Sequence, residues 1–110
     1  MSEPVTLINA FTVPVEESER FLRHWKDAAR VMASQPGFVR ARMHHALADD
    51  AELRFVNVAE WASVRQFDAA QGSPEFRGAV QRMLDDPDLH VTARPALYQV
   101  AVDLHPGETP

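Results

Sequence analysis

The chain contains no cysteine. That excludes disulfides, thiolate metal ligands and a cysteine nucleophile. It has no apolar run approaching the roughly 20 residues of a membrane span. It also has no basic patch: the net charge is −5, with acids and bases interspersed. Neither a membrane nor nucleic acid is therefore an expected partner. No glycine-rich phosphate loop, serine elbow or zinc-ligand spacing occurs, so no cofactor and no metal are expected. Met1-Ser2-Glu3-Pro4 is not a basic stretch followed by an apolar one. No signal peptide is expected, and the cytoplasm is the expected compartment.

What is present is one domain's worth of chain, 110 residues with 45% hydrophobic content. Val5 to Val13 reads as a strand, β-branched and apolar, ended by Pro14. From Glu16 the period becomes helical, with Phe21, Trp25, Ala28, Ala29 and Met32 on one stripe and acids in the first turn. Pro36-Gly37 stops that helix. Phe38 to Leu47 and Leu53 to Trp61 read as a hairpin around Ala48-Asp49-Asp50. Ser63 caps a short helix broken at Gly72, and Ser73-Pro74 starts another whose stripe is Phe76, Val80, Met83 and Leu84. Pro95 to Asp103 reads as the last strand. The expected domain is 1–104, with 105–110 as a tail.

The order strand, helix, strand, strand, helix, strand predicts an α+β, ferredoxin-like βαββαβ fold, an antiparallel sheet with helices on one face. Strands one, three and four carry apolar residues on both faces, and the chain's own helices can cover only one. The uncovered face predicts a homodimer packed sheet to sheet. In the third strand Leu53, Phe55, Asn57, Ala59 and Trp61 share a face. A carboxamide on an apolar face needs a hydrogen-bond partner, from the backbone or from a ligand. Asn9 shares its face with Leu7 and Phe11. His44 alternates with Phe38, Arg40 and Arg42, while His45 points the other way, so the two do not share a metal. His24 and His90 are expected to be solvated. Asp27, Glu60 and Asp68 fall on solvated faces.

Pro36-Gly37-Phe38, the run Phe55-Val56-Asn57-Val58-Ala59-Glu60-Trp61-Ala62-Ser63 and Ser73-Pro74-Glu75-Phe76-Arg77 occur in that order. With them the chain resembles the antibiotic biosynthesis monooxygenase family, dimeric α+β barrels, over roughly Val5 to Val102. The resemblance implies a pocket between sheet and helices. It also implies oxidation of an anthrone or hydroquinone to a quinone by molecular oxygen, without metal or flavin. It places catalytic roles on Asn57, Trp61, His44 and Arg77, the last with a few residues missing in the preceding loop. A family tyrosine falls on Phe67, which lacks the hydroxyl. Phe55, Phe67, Phe76 and Asn9 are the expected substrate-binding residues.

The expected reaction is thus cofactor-independent oxidation of a phenolic, anthrone or hydroquinone substrate, with O2 and a small aromatic molecule as partners. Two alternatives stand beside it. One is a non-catalytic dimeric protein that binds a small aromatic ligand. The other is the family's heme-degrading branch, whose strand asparagine matches Asn9 but whose tryptophan and axial histidine fall near Ala70 and Val80.

Overall fold

In the computed structural model, which describes residues 3–109, four strands form one sheet: β1 (Val5–Thr12), β2 (Phe38–His45), β3 (Phe55–Trp61) and β4 (Thr92–Tyr98). Their spatial order is β2-β3-β1-β4 and every pairing is antiparallel. This is the expected ferredoxin-like α+β fold. The helices are α1 (Ser18–Ala33), α2 (Val64–Gln71) and α3 (Pro74–Leu84), with a 3-10 turn at Val15–Glu17 before α1. No helix among the described residues is long and apolar enough to cross a membrane.

The helix starts follow from local chemistry. Ser63 Oγ accepts the Gln66 N–H at 3.2 Å and Ser73 Oγ accepts the Phe76 N–H at 3.3 Å, so each hydroxyl satisfies a donor that has no partner inside its helix. Gly37 joins α1 to β2 at a φ of 89°, and a Cβ there would collide with the Gln66 side chain. Its carbonyl accepts the Ala62 N–H at 2.8 Å, which ties the start of β2 to the end of β3.

Two strand limits differ from expectation. The last strand runs from Thr92 to Tyr98, not from Pro95 to Asp103. Tyr98 is already opposite Thr6, near the beginning of β1, so Val100 and Val102 have no strand to pair with in the same chain and are exposed. Pro95 is tolerated because β4 is an edge strand and one side of its backbone is unpaired. At the hairpin, β2 stops at His45 and β3 starts at Phe55. There the Ala46 N–H donates to the Arg54 carbonyl at 2.9 Å, and the buried Arg54 guanidinium donates to the carbonyls of Ala46 (3.3 Å) and Ala48 (2.6 Å).

The sheet's helix side carries Leu7, Asn9 and Phe11 of β1 opposite Ala59, Asn57 and Phe55 of β3. Its other side carries Ile8, Ala10, Val56 and Val58, half-buried apolar residues with no helix over them. Phe21 is fully buried against Phe11 and Phe55, with ring centroids 4.9 Å away in both cases.

Candidate active site

Between the centre of the sheet and the helices α1 and α3 lies a cavity of about 210 Å³. It exists because small residues face one another there: Ala28 and Ala29 on α1, Ala41, Ala59 and Ala93 on the strands. Trp25 and Met32 of α1 and Phe76, Val80 and Met83 of α3 close it from the helix side.

Its polar content is small and specific. Asn9 and Asn57 are directly opposite across β1 and β3, and Trp61 lies farther along β3 on the same face. All three line the cavity. Asn9 Oδ1, Asn57 Oδ1 and Trp61 Nε1 are buried without any hydrogen-bond partner. Buried polar atoms are nearly always paired, so three orphans around one cavity mark a place where a ligand can complete them. The Trp61 ring is held by edge-on contacts with Phe38 (5.4 Å) and Phe67 (5.6 Å), so its N–H is fixed in direction. A carboxamide can present either its carbonyl or its NH2 group after a half-turn.

Of the residues expected at the site, the structure brings Asn9, Asn57, Trp61 and Phe76 together around the cavity. It does not bring the other four. His44 pairs with Val56 on the sheet's outer side, with its Nδ1 3.3 Å from the Val56 carbonyl oxygen. The reason is a bulge: the register slips between Phe38 and Arg40, so Phe38 faces the helices while Arg40, Arg42 and His44 face away. Arg77 is exposed on α3, off the stripe that meets the sheet. Phe55 is stacked on Phe21 in the packed core. Phe67 is buried behind Trp61 and does not reach the cavity.

Residues 4–82 match the family model for antibiotic biosynthesis monooxygenases. The chain belongs to that family. Its function is of the monooxygenase type. A search of the curated proteins found no match. Among solved structures, a protein from Shewanella loihica PV-4 described provisionally as a monooxygenase is 32% identical, with a TM-score of 0.75, covering 94% of this chain and 99% of its own. SnoaB, a cofactor-independent oxygenase from Streptomyces nogalater, is 29% identical, with a TM-score of 0.68, covering 94% and 98%. A dimeric protein of unknown function from Bacteroides fragilis shares the ferredoxin-like fold at 15% identity and a TM-score of 0.69, covering 88% and 96%.

In this monooxygenase-family chain an ionic clasp holds one end of the cavity. Asp86 follows α3 and accepts from Arg20 (2.6 and 2.9 Å), from His24 (2.8 Å) and from the Asp88 N–H (3.0 Å). The Arg20 hydrogen bonds, first of all, hold the Asp86 carboxyl well below the usual carboxylate range. Glu17 accepts the backbone N–H of His90 at 2.6 Å and lies 2.9 Å from its Nδ1, and that backbone bond lowers its pKa. His24, expected to be solvated, is thus partly buried in the fold, whereas His90 is exposed as expected while it pairs with Glu17. The clasp fixes α1 to the α3–β4 connection, whose Val91 lines the cavity together with Leu84 at the end of α3. Sequence reasoning also missed the alanines as cavity formers. Their signal was Ala28-Ala29 at the centre of an otherwise bulky stripe.

Proposed function

We propose that the protein is a cofactor-independent monooxygenase that converts a phenolic, anthrone or hydroquinone substrate to a quinone with O2. The observation that supports this reading is the convergence of Asn9, Asn57 and Trp61, each with an orphaned polar atom, on an apolar cavity. The substrate ring stacks among the apolar walls. Its oxygen accepts from the Trp61 N–H and from the NH2 group of Asn57. Both bonds strengthen as that oxygen becomes anionic, so they favour the deprotonated, electron-rich form. That form gives one electron to O2. Recombination makes a C–O bond to a hydroperoxide, and cleavage of the O–O bond leaves a carbonyl. One oxygen atom enters the product and the other departs in water with the two hydrogens lost by the substrate. A hydroquinone needs no new oxygen and yields hydrogen peroxide with its quinone.

With His44 and Arg77 outside the cavity, no titratable side chain among the described residues lines it. The substrate's proton then goes to solvent and the conjugate base is the form bound. kcat/KM rises with pH to a plateau set by the substrate's acidity, and its midpoint moves when the substrate is changed. A midpoint common to substrates of different acidity contradicts this.

The test is oxygen uptake by metal-free protein with a panel of phenols, anthrones and hydroquinones. No uptake above the protein-free rate, or unchanged uptake in Asn57→Ala, overturns the reading. The absence of a titratable side chain among the described residues lining the cavity favours the second reading, a non-catalytic dimeric binder of a small aromatic ligand. Val80 lines the cavity near where the heme-degrading branch has its axial histidine, and valine offers iron no lone pair.

The same proposal includes a second copy over the outer sheet face. Its support is the apolar row Ile8, Ala10, Val56 and Val58 and the exposed Val100, Val102 and Leu104 beyond β4. Sedimentation equilibrium at micromolar concentration is expected to give a dimer, and a stable monomer contradicts it.

A further inference from the structure

A second hollow, of about 420 Å³, lies beside the cavity on the same side of the sheet, and Trp25 is a wall of both. Leu22, Met43 and Phe55 give it an apolar surface. Lys26, His45 and Arg54 line it as well. Among the described residues none of these three forms an ion pair; the same holds for most of the chain's exposed arginines, and only Arg20, Arg30, Arg40 and Arg94 have a carboxylate partner. Arg54 stands apart from the other arginines in being only 6% exposed. Its guanidinium meets two neutral carbonyls, those of Ala46 and Ala48, and no carboxylate. A guanidinium has five N–H donors, and a buried cation without an anion is costly. Asp49, Asp50 and Glu52 border a different hollow on which Arg54 also lies, and none of them pairs with it. In a chain of net charge −5, the two cations Lys26 and Arg54 and the imidazole of His45 thus line one groove with an apolar floor.

We propose that this groove is a carboxylate-binding subsite for an aromatic acid. The carboxylate lies among Lys26, His45 and Arg54, with apolar carbon against Leu22, Met43 and Phe55. Trp25 is the partition between this subsite and the cavity. An apolar cavity of about 150 Å³ accommodates one benzene ring, so the 210 Å³ here accommodates about one to two fused rings. A larger acid spans both hollows when the Trp25 side chain swings aside. The inference extends the proposed reaction by assigning its substrate an acidic arm, but binding in the groove does not depend on turnover.

The experiment is calorimetric titration of the full chain with naphthalene-2-carboxylate and with its neutral isostere, naphthalene-2-carboxamide. The acid is expected to bind about tenfold more tightly, as charge-assisted bonds outweigh neutral ones. Lys26→Gln with His45→Gln, two exposed positions outside the cavity, is expected to remove most of that preference. Trp25 indole and Met43 methyl resonances are expected to shift on binding. Equal affinity for acid and amide, binding of neither, or an unchanged preference in the double variant overturns the proposal. Acid binding without oxygen uptake would keep the subsite and sink the oxygenase reading. Oxygen uptake without acid preference would do the reverse.

Discussion

Two parts of one helix–sheet interface are built in opposite ways. Around Phe21 the rings of Phe11 and Phe55 pack at 4.9 Å, and Val13, Met83 and Leu89 are buried with them. Around Asn57 the same sheet face meets alanines across an open cavity, with three buried polar atoms unpartnered. An unsatisfied buried polar group costs about 1–3 kcal/mol. Against a typical total stability of about 5–15 kcal/mol, three such groups are a large burden. The packed region supplies the stability that the cavity region gives up. The cavity's polar atoms make sense as groups whose partner is a ligand.

The contrast can be broken most severely at its packed end. Phe21→Ala should destabilise the fold by about 3–5 kcal/mol, read from urea unfolding, because a fully buried ring leaves a void. A loss under about 1 kcal/mol would mean that this region is not the anchor.

Next comes the clasp. Asp86 and Glu17 have folded pKa values below the ordinary carboxylate value of about 4. The stability they contribute is therefore fully present above that pH and is lost as pH falls through their lowered folded values. Asp86→Asn should lower the urea midpoint at pH 7, and the drop in midpoint between pH 7 and pH 3 should be smaller than in the parent. An identical drop would show that the clasp does not set acid stability.

At the cavity the sign should reverse. Asn57→Leu replaces an orphaned carboxamide by an apolar side chain of similar size, and its stability should be unchanged or raised by up to about 1 kcal/mol. A clear loss would mean that Asn57 is structural after all. The smallest effects belong to residues outside the cavity: Arg77→Ala and His44→Ala should each leave oxygen uptake within about twofold of the parent.

The same contrast explains which features were legible in the sequence. Helix starts were readable because Ser63 and Ser73-Pro74 act on their own neighbours. Asn9, Asn57 and Trp61 were readable because a polar group on an apolar alternation stands out. The end of β4 was not, since it depends on where β1 runs out of partners far away in the chain. His44 was misplaced because alternation counted from Phe38 assumes an unbroken strand, and the bulge at Val39 shifts the phase by one residue. Arg77 neighbours the cavity-facing Phe76 in sequence, but on a helix the next residue turns about 100° away. The cavity itself comes from alanines on four different elements meeting in space, which no local pattern encodes.

The most direct test of the account is oxygen consumption by metal-free Asn57→Leu and parent protein, each with a naphthol that the parent oxidises. A folded variant whose kcat/KM falls about 100-fold, the scale of losing one preorganised donor to the substrate's oxyanion, is the predicted result. Equal rates in the two proteins would contradict the claim that the orphaned carboxamide acts on the substrate's oxygen.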